Sequence, residues 1–288
     1  MARRAFLGAL AGAFLGAAAA RAAYAAFTRR PPVGDAETWN RTNHRGEPIT
    51  LLEGPAFVAG AGTAAAVLPG LPARIRAAVL LAVAGSGGLG AYDDLYGATS
   101  SKGFKGHLSA LGKGEVTSGA VKIMGIGVTG LAAAALTSRG PVDTMVNGAL
   151  VAGGANLANL FDLRPGRAVK VGLLSGTPLL IAALRREAPV PATLAALPIG
   201  AAVALLPEDL GERAMLGDAG ANALGALLGL AASLTLGRPG RLAVLGTVIA
   251  LTAASEKISF TRVIAGNPVL NRIDMLGRRP VEQAPTGR

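Results

Sequence analysis

Long apolar runs recur along the 288-residue chain and constrain its fold more than any other feature. A helix needs roughly 20 apolar residues to cross the hydrocarbon core of a bilayer, and about nine runs approach that length. They span residues 5–26, 55–71, 74–92, 122–138, 142–161, 169–184, 190–206, 219–236 and 241–255. The runs predict an all-α, polytopic membrane protein with about nine transmembrane helices.

The composition excludes several other classes of protein. Hydrophobic residues make up 51% of the chain and charged residues 16%, whereas a soluble domain carries about 25% charged residues. A disordered chain lacks this apolar content. The 41 glycines suit membrane helices, because small residues let helix backbones approach closely. Cysteine is absent, which excludes disulfides, thiolate zinc sites and cysteine nucleophiles.

The loops between the runs alternate between long and short, as successive membrane crossings would produce. The long loops span 28–54, 93–121, 162–168, 207–218 and 256–288, and the short ones 72–73, 139–141, 185–189 and 237–240. Most Lys and Arg residues lie in the long loops, so the positive-inside rule predicts that these loops are cytoplasmic and that the protein is a multi-pass protein of the inner membrane. The net charge of +11 is therefore attributed to membrane orientation and anionic substrates, and no nucleic acid is expected.

The chain is divided into a transmembrane domain, 1–255, and a basic cytoplasmic tail, 256–288. The first run follows Arg3 and Arg4, as a secretory signal would. Its apolar character continues past Arg21 to Phe27, which favours a retained helix. Retention places Arg3 and Arg4 outside the cell, against the positive-inside rule, and the agreement among the longer loops outweighs that cost. Faces rich in Gly and Ala would permit a homodimer.

Asp93 and Asp94 are adjacent at the end of a predicted helix. Two neighbouring carboxylates repel each other unless a cation or a lysine compensates. Mg²⁺ is bound by one or two carboxylates together with substrate phosphates, so the pair is a candidate metal and phosphate site. The alternative is two solvated residues at a helix terminus.

Asp218 lies between Gly217 and Gly220 at the start of another apolar run. Glycines let a phosphate approach the backbone, and a helix N-terminus favours anions. The alternative is that Asp218 only caps the helix.

Asn156 and Asn159 are three residues apart and share a helix face, which Asp162 continues toward the loop. Asn and Asp side chains can hydrogen-bond a base or a ribose. The alternatives are polar contacts between helices or ordinary capping.

Basic residues near these segments are candidates for neutralising a pyrophosphate: Arg41, His44, Arg45, Lys102, Lys105, His107, Lys113 and Lys122. For any one of them the alternative is a solvated loop that faces lipid headgroups. The two histidines are too few and too separated to predict a histidine metal site.

The three acidic segments, in this order and each at a predicted cytoplasmic helix end, resemble the polyprenyl-phosphate N-acetylhexosamine-1-phosphate transferases (glycosyltransferase family 4). That superfamily includes phospho-N-acetylmuramoyl-pentapeptide transferase and undecaprenyl-phosphate N-acetylglucosamine 1-phosphate transferase. The resemblance runs from about Asn40 to Gly229. Asp93 and Asp94 resemble its paired-aspartate motif, residues 159–162 its Asn-Leu-x-Asp motif and residues 217–220 its Gly-Asp-x-Gly motif.

The resemblance implies a Mg²⁺-dependent transfer of a sugar 1-phosphate from a uridine diphosphate (UDP) amino sugar to polyprenyl phosphate, with release of UMP. It implies that Asp94 and Asp218 bind Mg²⁺ and that Asp93 positions or deprotonates the lipid phosphate, a role exchangeable with Asp94. Lys122 would contact phosphate. Other candidate substrate-binding residues are Asn159 and Asp162 for the nucleoside, and Arg45, Lys257 and Arg262 for the diphosphate.

The chain departs from the family pattern at three points. Leu163 to Arg167 stand where the nucleotide motif continues with Gly and a second Asp, Ser255 to Arg262 replace a His-rich loop, and there are fewer apolar runs than the family's usual ten or more helices. These departures favour a divergent member. They leave open a second function, that of a catalytically silent relative that binds polyprenyl phosphate or a partner protein.

Overall fold

The computed structural model describes residues 1–97 and 117–280. They are mostly helical. The helices are α1 (Ala2–Arg29), α2 (Glu53–Val67), α3 (Ala73–Tyr96), α4 (Ser118–Ala135), α5 (Pro141–Phe161), α6 (Arg167–Arg185), α7 (Pro189–Leu210), α8 (Gly217–Thr235), α9 (Arg238–Ser255), α10 (Phe260–Gly266) and α11 (Pro268–Met275). The predicted basic residues Lys102, Lys105, His107 and Lys113, and the last residues of the tail, lie outside the described residues.

Each of the nine predicted runs coincides with one of the helices α1 to α9, and the ends agree within a few residues. Five helices are long and apolar enough to cross a membrane, namely α1, α3, α4, α6 and α7. The bent pair of α9 and α10 makes six if it counts as one span. The prediction of a mostly helical fold is therefore confirmed, and the described ranges contain five to six helices that are candidates for crossing a membrane.

Local sequence signals start several helices. Thr117 caps α4, since its side-chain oxygen accepts a hydrogen bond of 3.1 Å from the backbone N–H of Ala120. Pro141 and Pro189 begin α5 and α7, at the first helical position, where the missing N–H of proline costs nothing. These starts fix where the chain enters each helix.

The first polar loop contains a two-stranded antiparallel hairpin that the all-α prediction missed. Strand β1 (Asn40–Thr42) pairs with β2 (Pro48–Thr50). The backbone N–H of Thr50 also donates to the carbonyl of Arg213, and Thr50 accepts from the N–H of Met215. The hairpin therefore holds the first loop against the connection between α7 and α8.

Helix α8 is the centre of the fold, and nearly all of its side chains are buried. Helices α2, α3 and α5 pack against it through glycines. A Cβ atom on Gly90 of α3 would overlap the backbone of Asp218, and one on Gly225 of α8 would overlap the backbone of Gly154 in α5. Close approach of these backbones brings the end of α3 beside the start of α8.

Replacing Gly90 by alanine is expected to destabilise the protein by about 1–3 kcal/mol, because an overpacked contact must push α3 away from α8. Gly88→Ala is the matched control on the same helix. A Cβ on Gly88 meets nothing within 4 Å, and the better helix propensity of alanine is expected to stabilise by up to about 1 kcal/mol. Thermal unfolding of the two purified variants checks this difference, and equal midpoints would contradict it.

Candidate functional site

Three helix ends bring Asp93, Lys122 and Asp218 together. Asp93 lies in the last turn of α3, Lys122 near the start of α4 and Asp218 in the first turn of α8. The Nζ atom of Lys122 lies 2.6 Å from Oδ2 of Asp93 and also contacts Oδ2 of Asp218. Each of the three side chains is at most 26% exposed. The ammonium therefore joins two carboxylates that are far apart in the sequence.

Asp94 binds the N-terminus of α8. Its carboxylate accepts hydrogen bonds from the backbone N–H groups of Asp218, at 3.0 Å, and Ala219, at 2.9 Å. The first N–H groups of a helix have no partner within it, and the helix dipole favours an anion there. Asp94 thus caps α8 from a neighbouring helix. The interpretation that Asp218 caps its own helix is wrong, since Leu216 is at the cap position and α8 has no side-chain cap bond there.

Gly217 is required at this contact for two reasons. Its φ of +58° lies in the left-handed region, which side chains disfavour. A Cβ atom there would also come within 3.0–3.1 Å of the carboxylate oxygens of Asp94. Gly217 therefore leaves the space that lets the carboxylate of Asp94 reach the N-terminus of α8.

Arg41 supports the same corner from the hairpin. Its guanidinium donates to the backbone carbonyl of Asp94, and also to the carbonyls of Thr38 and Asn40. The carbonyls in the last turn of a helix have no partner within it, so Arg41 satisfies one of them. Sequence reasoning identified Arg41 only as part of a basic loop, because its partner is 53 positions away.

A cavity of about 420 Å³ opens beside these residues, between α4, α5, α8 and α9. Most of its wall is apolar and includes Ile123, Val248 and Ile249. Polar side chains also line it, at Lys122, Asn156, Asn159, Asn222, Thr252 and Glu256. Because Lys122 belongs to both the wall and the carboxylate cluster, an apolar molecule in the cavity can present an anionic end to its ammonium.

The predicted nucleoside residues separate in the structure. Asn159 lines the cavity, whereas Asp162 is 7% exposed and is not part of the wall. Oδ2 of Asp162 has no hydrogen-bond partner among the described residues. Burial, together with the nearby carboxylate of Asp209, raises the pKa of Asp162 well above its usual value. The side-chain amide of Asn156 donates to Oγ1 of Thr252 at 3.4 Å. This polar contact between two helices is one of the alternatives that the sequence left open for Asn156.

The structure places the three remaining candidates, Arg45, Lys257 and Arg262, outside the cluster. Arg45 donates to the carboxylate of Glu212 at 3.0 Å and to the carbonyls of Arg279 and Pro280. Its guanidinium therefore joins the first loop to the segment that follows α11. Lys257 and Arg262 are exposed at the bend between α9 and α10, and within the described ranges neither side chain forms a hydrogen bond or ion pair.

The donor set fits a divalent cation. The carboxylates of Asp93 and Asp218 contact the ammonium of Lys122, and the carboxylate of Asp94 lies beside them against the backbone N–H groups of Asp218 and Ala219. Across the described part of the chain no three Asp, Glu or His side chains surround one point. Mg²⁺ needs only one or two carboxylates when substrate phosphates and waters complete its octahedron, and Asp94 and Asp218 would supply these.

Comparison with known protein families found no matching family model, and no curated protein sequence matches the chain significantly. Carboxylates that suit a divalent cation adjoin a lysine that suits phosphate and a cavity that suits an apolar chain. This combination places a cation-binding and an anion-binding group beside an apolar surface.

Proposed function

We propose that the chain is a Mg²⁺-dependent membrane phosphotransferase. It transfers a sugar 1-phosphate from a UDP-activated amino sugar to polyprenyl phosphate, such as undecaprenyl phosphate, in cell-envelope glycan biosynthesis, for example that of peptidoglycan. The products are a polyprenyl-diphospho-sugar and UMP. The observation that carries the proposal is that Lys122 holds Asp93 and Asp218 together at the wall of an apolar cavity.

The residues of the cluster would act on the two phosphates as follows. An oxygen of the lipid phosphate attacks the β-phosphorus of the donor, and the bond from that phosphorus to the bridging oxygen breaks, so UMP leaves with that oxygen. Asp93 positions or deprotonates the attacking phosphate, in a role exchangeable with Asp94. Lys122 neutralises charge on the transferred group. Mg²⁺, held by Asp94 and Asp218, would supply charge neutralisation for the diphosphate.

The cavity would take the first part of the polyprenyl tail. Its apolar wall extends from Lys122 along α4 and α9, so a tail in it leaves the phosphate at the carboxylates. Asn159, also in the wall, would contact the nucleoside of the donor, and Asp162 would join it only after a change of conformation.

The proposed topology has nine helices that cross or enter the inner membrane, with the active-site cleft on the cytoplasmic face. Contact between the end of α3 and the starts of α4 and α8 supports one shared side for the cluster. The long basic loops support the cytoplasm as that side. The small residues exposed on several helices would permit a homodimer.

A catalytically silent relative that binds polyprenyl phosphate or a partner protein is the second candidate function. The burial of Asp162 away from the cavity wall favours it, since the residue cannot reach a nucleoside there without a change of conformation.

The deciding measurement is UMP release by the purified chain with undecaprenyl phosphate, Mg²⁺ and a panel of UDP-sugars. Release with at least one donor, abolished by EDTA, is expected. No release with any donor, combined with metal-independent binding of the lipid, would instead support the silent relative.

A blocked cavity provides a sharper test of the lipid site. Ala253 lines the cavity and is exposed, so Ala253→Trp is expected to displace about two methylene groups of the tail and to raise the KM for polyprenyl phosphate roughly tenfold. The KM for the UDP-sugar is expected to stay unchanged. Ala243→Trp, an exposed position of the same helix outside the cavity wall, is the matched control. An equal rise in both KM values would contradict a tail in the cavity.

A further inference from the structure

The chain turns sharply after its last long helix. Helices α9 and α10 meet at an angle of 97°. The bend is fixed by Phe260, whose ring stacks on that of Phe161 at 5.0 Å, and by Ser259, whose side chain caps α10. A helix at a right angle to one that crosses a membrane runs along the membrane surface. With α9 in the membrane, as in the topology proposed above, on which this step rests, α10 runs close to the plane of the bilayer.

Arg167 fixes both short helices to the end of a second candidate span. It is the first residue of α6. Its guanidinium donates to Oγ1 of Thr261 in α10 at 2.9 Å, and to both carboxylate oxygens of Asp274 in α11 at 2.7 and 3.0 Å. One guanidinium thus holds both α10 and α11 beside the start of α6.

The outward side of these helices is apolar. In α11, Asp274 is 6% exposed and points toward Arg167. Val269 and Ile273 of α11, and Leu276 directly after it, are spaced as on one helix face. Val269 is 68% exposed and Leu276 is 71% exposed. An apolar stripe thus lies on the side of α11 away from the protein.

The exposed charges next to this stripe are basic. Between residues 257 and 280 they include Lys257, Arg262 and Arg272, and the one carboxylate of that segment, Asp274, is buried in ion pairs. A helix with an apolar face flanked by Lys and Arg is typical of elements that lie in the interface of an anionic leaflet.

We propose that α10 and α11 form an in-plane anchor that seats in the anionic leaflet of the bilayer the chain spans. Val269, Ile273 and Leu276 enter the boundary between headgroups and acyl chains, and Lys257, Arg262 and Arg272 bind lipid phosphates. This occupant differs from the donor diphosphate that the family resemblance suggests for Lys257 and Arg262. The anchor is independent of the reaction at the aspartate cluster.

Single cysteines can report the depth of α11, because the chain has none of its own. Val269→Cys and Leu276→Cys carry a fluorescent label in full-length protein reconstituted at one copy per nanodisc. We expect brominated acyl chains to quench both labels and aqueous iodide to leave them unquenched, at a depth of about 5–10 Å below the headgroups. Glu37→Cys, an exposed position of the first polar loop, is the control and is expected to show the reverse.

Quenching of both α11 labels by iodide to the level of the Glu37 label would overturn the proposal. So would protection from iodide that appears only with two copies per nanodisc, since a second copy of the chain would then cover the face.

The basic residues are tested by comparing brominated phosphatidylglycerol with brominated phosphatidylcholine. Arg262→Gln with Arg272→Gln is expected to lower the preference for the anionic lipid by up to roughly fivefold per charge. Arg3→Gln with Arg4→Gln changes the net charge equally at exposed residues of α1 and is expected to have no effect at α11. An equal loss of the preference for the anionic lipid in the two double variants would overturn headgroup binding by α10 and α11.

Discussion

Asp218→Asn is expected to lower the rate of UMP release by about 10²–10³-fold, the size of losing one well-placed electrostatic contact to a developing charge. Asparagine keeps the shape of the side chain at the first turn of α8. It leaves the bonds from the N–H groups of Asp218 and Ala219 to Asp94 in place, because these use backbone atoms. The variant therefore removes one charge next to Lys122 without removing the helix cap, and initial rates over a Mg²⁺ titration measure the loss.

Two further variants are compared with Asp218→Asn. Asp143→Asn removes a partly exposed carboxylate that pairs with Arg241 near the start of α5, and UMP release is expected to stay within a factor of two of the unmodified chain, since surface ion pairs contribute about 0–1 kcal/mol. Asp94→Asn is expected to lose both activity and thermal stability, because the cap of α8 is weakened as well. Full activity in Asp218→Asn would exclude the proposed transferase mechanism.

The apolar runs predict the helices well because an uninterrupted run of apolar residues lets a helix continue, and the runs end where polar or helix-breaking residues begin. They do not predict which helices meet lipid. Helix α8 is apolar and yet buried on nearly every side by protein, and α2 has only 15 residues. Burial against protein and burial against lipid select the same residue types, so the number of apolar runs alone does not determine the number of membrane-spanning helices.

The motifs predict the aspartates of the cluster, but they do not predict which aspartate caps α8 and which ones pair with Lys122. Asp94 and the N–H group it caps are 124 positions apart, a distance at which no local pattern operates. For Asp162 the predicted position on the same helix face as Asn159 is wrong, for a different reason. A spacing of three from Asn159 places both on one face of a continuing helix, but α5 ends at Phe161 and the backbone of Asp162 has left helical geometry. Its side chain is therefore buried instead of lining the cavity.

A substitution in α11, Asp274→Ala, is expected to have a second large effect, this one on the free energy of unfolding. Asp274 accepts from Arg167 and Arg278, and each of the three side chains is at most 7% exposed. Asp274→Ala leaves two buried guanidinium groups without their carboxylate, and breaking a buried ion pair in this way costs about 3–5 kcal/mol. The fluorescence of Trp39, which is 1% exposed and the one tryptophan of the chain, can follow unfolding in mild detergent. Glu187→Gln, at an exposed ion pair with the N-terminus, is the control and should change little.

This loss is expected to depend on pH in a defined direction. Burial acts to raise the pKa of Asp274, but the hydrogen bonds and positive charge of Arg167 outweigh it, so the pKa lies below its usual value. A carboxyl with a lowered folded pKa stabilises the fold above its unfolded pKa, near 3.9, and loses that contribution as the pH falls through the folded value. The difference in unfolding free energy between the unmodified chain and Asp274→Ala should therefore be constant near neutral pH and shrink below about pH 4. A difference that does not change down to pH 3 would mean that the carboxylate contributes by packing and not by its charge.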